Sequence, residues 1–254
     1  MNEIVICPSP EALAGAAARI VSEAAARAVA DHDRFTVALA GGRTPALLYR
    51  TLARSAPPSR CAALPWDRVH VFWSDERHVP PSHPDSNFRM ATEALLDHVP
   101  IPAAHITRIH GENPSAAVAA EGYAGAIREA FGLQDGEFPV FDLMLLGMGA
   151  DGHTASLFPG DAALSDTRRI VAAPWVAQVR AHRITLTPPV LTRAARIVVL
   201  VTGADKAATL KAVLDGPTDI DRYPVQCLRA ARHRVAWLLD RAAAGLAAAT
   251  GPSA

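Results

Sequence analysis

The chain of 254 residues sets 25 Lys+Arg against 25 Asp+Glu and is formally neutral at pH 7, so it lacks the basic excess that binding along a nucleic-acid backbone requires. With 50% hydrophobic and 20% charged residues it has a globular balance and ample core material, and no apolar run approaches the ~18 residues of a membrane span. The three cysteines, Cys7, Cys61 and Cys227, stand too far apart for a disulfide framework or a C-x-x-C metal pair, so buried or incidental thiols in a reducing compartment are expected.

The opening, "MNEIVICPSPEALAG", has an early Glu and no basic stretch before its short apolar run. It does not read as a secretory signal, and the expected location is the cytoplasm. A first helix is predicted over 9–30, with Ser9 as N-cap and Pro10 at the first helical position. A strand follows at "FTVALA" (35–40), then a helix at "PALLYRTLAR" (45–54) and a Pro-rich surface connection over 55–66. "RVHVFW" (68–73) is the next strand, followed by helices over 86–98 and 114–132 and a strand at "FDLMLLG" (141–147). Weaker strand signals lie at "RIVAAP" (169–174) and "HRITLT" (182–187). A helix over 187–195, a strand at "RIVVLVTG" (196–203), a helix over 205–216, a strand at "RVAWLL" (234–239) and an Ala-rich helix over 240–250 complete the chain. The strands are β-branched or aromatic with almost no polar alternation, which suits burial on both faces. The expected fold is α/β: a doubly wound, mainly parallel sheet with flanking helices, as one catalytic domain over 1–254 with room for a small subdomain in its middle.

Several strands end abruptly in Gly or polar residues, and in open α/β sheets ligands bind beyond the carboxyl ends of the strands. In "LAGGRTPALLYR", Gly41 and Gly42 allow close backbone approach, while Arg43, Thr44 and the helix-start amides could hold an anion. An ordinary turn with Thr44 as N-cap would look the same, and without a Gly-Lys-Ser/Thr ending it is not a nucleotide P-loop. "WSDERHVPPSHPDSNF" sets Asp75, Glu76, Arg77 and His78 directly after a buried strand, in a long loop of the kind that often carries function. A solvated turn is the plain alternative. Arg77 suits an oxyanion because its fork binds one bidentately, and Asp75 could orient a hydroxyl or a cation.

The stretch "GMGADGHTASLFPG" (147–160) begins as G-x-G-x-x-G, but Pro159 and Gly160 would break the helix a dinucleotide fingerprint needs, and "DAALSDTRR" is no buried strand. Asp151 and His153 instead put two titratable groups at a strand terminus. Histidine is the side chain best suited to proton transfer near neutrality, although a lone histidine is more often structural. Lys206, beside Asp205 in "VTGADK", and Arg183, before a short β-like run, could be surface cations. With Arg43 and Arg77 they would make a cationic rim suited to a small phosphorylated substrate.

Together these segments resemble the 6-phosphogluconolactonase family, whose G-G-R-T-P, D-E-R-x-V-P-x-x-H-x-x-S-N, G-x-G-x-D-G-H-T-A-S-L-F-P and V-x-G-x-x-K segments match "GGRTP", "DERHVPPSHPDSN", "GMGADGHTASLFPG" and "VTGADK" in order. The resemblance implies a modified Rossmann-like fold of the sugar-phosphate isomerase/lactonase type. It implies hydrolysis of 6-phospho-D-glucono-1,5-lactone in the oxidative pentose phosphate pathway, without metal or cofactor. His153 is then the proton-transferring residue, and Asp151 and Asp75 are at the active site. Gly41, Gly42, Arg43 and Thr44 line the phosphate loop, and Arg77, Lys206 and Arg183 serve the anionic substrate. The expected partner is that sugar lactone alone, with no nucleic acid or membrane, and the expected state is a monomer or weak homodimer.

The mechanism expected on this basis has neutral His153 take a proton from water as it adds to the lactone carbonyl, then return it to the leaving ring oxygen. Asp151 would orient the imidazole. Arg77 or glycine-loop amides would meet the oxyanion. A sister family, the glucosamine-6-phosphate deaminase/isomerases, carries a Glu seven positions after the Asp of the D-G-H segment, where this chain has Phe158. Its D-E-Y stands here as "DER". A non-catalytic sugar-phosphate sensor and a dinucleotide-dependent oxidoreductase are the remaining alternatives. The first lacks an attached DNA-binding helix-turn-helix, the second a valid fingerprint.

Overall fold

The computed structural model describes residues 3–54 and 64–246. Six parallel strands form the central sheet in the order β1-β10-β9-β5-β2-β3. They are β1 (Glu3–Cys7), β2 (Phe35–Leu39), β3 (Val69–Trp73), β5 (Leu143–Gly147), β9 (Arg196–Val201) and β10 (Val235–Asp240). All five residues of β2 and all six of β10 are buried, the polar Thr36 and Asp240 among them, as suits strands covered on both faces. A second sheet is antiparallel, in the order β4-β8-β6 with β7 also paired to β8: β4 (Asp75–Arg77), β6 (Val171–Ala172), β7 (Trp175–Val176) and β8 (Ala181–Leu186).

The helices flank the central sheet. In α1 (Pro10–His32), Ser9 accepts the Ala12 amide at 3.2 Å and Pro10 opens the helix. Small buried residues such as Ala14, Ala17, Ala25 and Ala28 bring it close to its neighbours. α4 (Ala116–Phe131) is capped by Ser115 and closed by Gly132 at φ 64°, where glycine carries no Cβ penalty. The others are α2 (Arg43–Arg54), α3 (Asn87–Ala94), α5 (Pro188–Arg193) and α6 (Ala207–Asp215). No helix among the described residues is long and apolar enough to cross a membrane.

Two buried tyrosines fasten the strand ends nearest the site. The Tyr49 hydroxyl accepts the Ala40 N–H at 2.9 Å and donates to the Ala40 carbonyl at 2.8 Å. Tyr123 repeats the device on Trp73 at 2.8 and 2.9 Å. Burial pushes both phenols well above their ordinary range, so they remain neutral donors.

The sequence expectations need correction at several points. The N-terminal apolar run is the edge strand β1, and Asp75–Arg77, expected as loop, is a strand because it pairs with β8, a partner more than a hundred residues away. Helix α2 begins at Arg43, with the Gly42 carbonyl accepting from Ala46 at 3.1 Å, so Thr44 is not its N-cap. The expected C-terminal helix is a turn over 241–245. Asp240 draws the Ala243 amide to its side chain at 2.7 Å, and Gly245 at φ 70° leaves the helical region. Residues 247–250 of that helix, most of the Pro-rich connection and Cys61 lie outside the described residues. Cys7 and Cys227 are buried free thiols, and burial raises Cys227 to about 12.

Candidate active site

The carboxyl ends of β2, β5 and β9 are adjacent in the sheet, and beyond them opens a cavity of about 340 Å³. Volumes of this order suit a small metabolite. Gly41, Gly42, Arg43 and Thr44 form one wall, Gly147 to Gly149 and His153 a second, and Gly203, Asp205 and Lys206 a third. Asp75, Arg77 and Asn87 close the side under β4.

The first wall is the start of α2, whose opening N–H groups have no intrahelical acceptor and carry the positive end of the helix dipole. Gly42, at φ 107°, makes the turn into the helix. Gly41 has no room for a side chain, since a Cβ there would lie 2.0 Å from Asn87 Oδ1. The Thr44 hydroxyl meets the Thr202 hydroxyl at 2.7 Å and joins this wall to the end of β9. Across the gap, Lys206 Nζ is 3.0 Å from Asp205. The Lys206 hydrogen bond and charge, with Arg43 beyond, hold the Asp205 carboxyl below its ordinary value.

The 147–153 loop closes on itself. The Gly149 amide donates to the His153 carbonyl at 2.9 Å and the Gly152 amide to the Gly149 carbonyl at 3.0 Å. Those amides are turned inward, and no helix follows, so the loop does not cradle a pyrophosphate. It holds His153, whose Nδ1 is 2.6 Å from Asp151 Oδ1 and whose ring stacks on Phe158 at 4.3 Å between centroids. Burial pushes the Asp151 carboxyl up, but the hydrogen bonds and charge of His153 outweigh it and lower the value. An ionised carboxylate can only accept, so Nδ1 carries the proton toward Asp151, and in the neutral form of the ring the lone pair is then on Nε2. Gly149 is required here, because a Cβ would stand 2.1 Å from His153 Nδ1 and 2.5 Å from Asp151 Oδ1.

Asp75 is buried, accepting from Ser156 Oγ at 2.7 Å and Ser74 Oγ at 3.2 Å. Arg77 reaches the Asp85 carbonyl. Arg183 faces Arg77 across the β4–β8 pair, and burial first, then the Arg77 charge, lowers its pKa.

A family model described as glucosamine-6-phosphate isomerases/6-phosphogluconolactonase matches residues 8–237. The chain belongs to this family. A 6-phosphogluconolactonase of Synechocystis sp. is 41% identical over 217 residues, covering 85% of this chain and 86% of the relative. One of Nostoc sp. is 38% identical over 241 residues, covering 94% and 96%. The solved structure of 6-phosphogluconolactonase from Trypanosoma cruzi superposes with a TM-score of 0.84 at 28% identity, covering 96% of each chain.

Within this isomerase/lactonase fold, eight of the ten predicted site residues line one cavity: Gly41, Gly42, Arg43, Thr44, Asp75, Arg77, His153 and Lys206. Asp151 stands behind His153, and Arg183 stands across the strand pair from Arg77; neither lines the cavity. Sequence reasoning assigned no role to Asn87 or Thr202, which do line it. Asn87 fell inside a predicted helix, and its contact with Gly41, 46 positions earlier, carries no local signal. Among the described residues no group of three or more His, Cys, Asp or Glu is placed to hold a metal ion.

Proposed function

We propose that the chain hydrolyses 6-phospho-D-glucono-1,5-lactone to 6-phospho-D-gluconate, the lactonase step of the oxidative pentose phosphate pathway, with His153 as general base. Relatives carrying that activity in their names match it over most of their length and its own. The observation that carries the residue assignment is one cavity with an imidazole on one wall and, on the others, a helix start and cations.

The substrate phosphate carries roughly −1.5 to −2 charges at neutral pH and is matched by the α2 amides with Arg43, Arg77 and Lys206. Grip at that end orients the lactone carbonyl toward His153. Nε2 takes a proton from water as its oxygen bonds to C1, and the carbonyl electrons move to the oxyanion. The Gly149 N–H is spent on the His153 carbonyl, so the oxyanion is left to other backbone N–H groups of the glycine loops. The oxyanion then collapses, the bond from C1 to the ring oxygen breaks, and the imidazolium returns its proton to that oxygen. Asp151 stabilises the imidazolium between these steps. The deaminase alternative is disfavoured by Phe158, which sets a hydrocarbon face against the imidazole where that chemistry uses a carboxylate.

In a coupled assay the wild-type protein is expected to hydrolyse the lactone well above its spontaneous rate. Arg77→Ala should raise KM at least about 10-fold, the loss of a charge-assisted contact of ~1.5–3 kcal/mol. An unchanged KM would remove Arg77 from the anion site, and a wild type no faster than buffer would remove the lactonase reading.

A further inference from the structure

We infer that Glu76, which does not line the cavity, is a positioning residue for substrate binding and acts through Asn87. This rests on the lactonase reading. Glu76 is 2% exposed, between Asp75 and Arg77 on β4, and its side chain leaves the strand on the face opposite theirs. Its carboxylate is fully occupied. Oε1 accepts the Arg77 amide at 2.8 Å and the Asn87 amide at 2.7 Å; Oε2 accepts the Phe88 amide at 2.8 Å and Ser86 Oγ at 3.1 Å. Three of these donors belong to the start of α3, which Ser86 also caps from its own side. One buried charge thus bolts the α3 helix start to the strand that carries Asp75 and Arg77.

The bolt has a consequence at the cavity. Asn87, first residue of α3, sends Nδ2 to the Asp75 carbonyl at 2.9 Å, while its Oδ1 fills the space beside Gly41. Asn87 therefore touches the acidic side of the cavity and the phosphate loop at once, and its place is fixed by its own amide on Glu76. The His153–Asp151 pair sits on the separate β5 loop and makes no hydrogen bond to Glu76 or Asn87. Loosening the bolt should therefore spread the groups that grip the substrate and leave the proton-transferring pair intact.

The test is Glu76→Gln. A carboxamide of the same shape must turn an NH2 group toward two of the four donors whichever way it is flipped. The expected result is a KM for the lactone raised at least ~10-fold, with kcat within about threefold of wild type. The calorimetric Kd for 6-phosphogluconate should rise in parallel. A purely structural role would reduce the folded fraction, lowering Vmax at constant KM. Glu93→Gly, on the exposed side of α3, is the control: it should lower Tm without moving KM. A wild-type KM and Kd in folded Glu76→Gln overturn the inference. Should that variant not fold, Asn87→Ala keeps every backbone donor to Glu76, removes only the side-chain link, and must show the same rise in KM and Kd or the inference fails. An inactive wild type would instead sink the lactonase reading, and the product-binding measurement still decides the role of Glu76.

Discussion

Replacing His153 by alanine is expected to lower kcat for lactone hydrolysis by ~10²-fold or more once the spontaneous rate is subtracted, the usual contribution of a positioned general base. KM should change little, because the groups assigned to the anion lie on other walls of the cavity. The ring is also structurally dispensable: its side chain is 32% exposed, and its contacts are the Asp151 hydrogen bond and the Phe158 stack. The variant should therefore fold with a near-normal Tm. Turnover close to wild type would show that water is activated elsewhere.

A second large effect is expected at a residue without a side chain. Gly149→Ala puts a methyl group where Nδ1 of His153 and Oδ1 of Asp151 now meet. Gly149 is not among the positive-φ glycines, so alanine fits the backbone and the whole burden falls on the pair. The imidazole must rotate away or the carboxylate must retreat; either breaks the 2.6 Å contact that fixes the tautomer and direction of the base. A displacement of this kind costs on the order of 10²-fold in rate. The expected signature is a kcat loss approaching that of His153→Ala, with KM and Tm near wild type. Full activity would mean that the contact with Asp151 contributes nothing to catalysis.

Much of the fold was readable from local pattern. Buried strands such as β2 and β9 announce themselves as short β-branched runs, and α1 through Ser9 and Pro10, because those signals lie within a few residues of the structure they specify. What escaped was set by distant partners. Asp75–Arg77 is a strand only because residues 183–185 lie beside it, and Asp75 is held by Ser156, 81 positions on. Glu76 looked like one charge in a polar run, and only the approach of α3 turns it into a buried clamp. The site was legible through motif order, yet motifs do not say which cations share a wall. Arg183 and Lys206 read alike in sequence, but only Lys206 lines the cavity.

A crystal structure with 6-phosphogluconate bound tests most directly whether base and anion site address opposite ends of one substrate. The predicted result is a phosphate at the start of α2 within hydrogen-bond distance of Lys206 or Arg77, and the C1 carboxylate beside Nε2 of His153. A product bound the other way round, with its phosphate against His153, or seated outside this cavity, would contradict it.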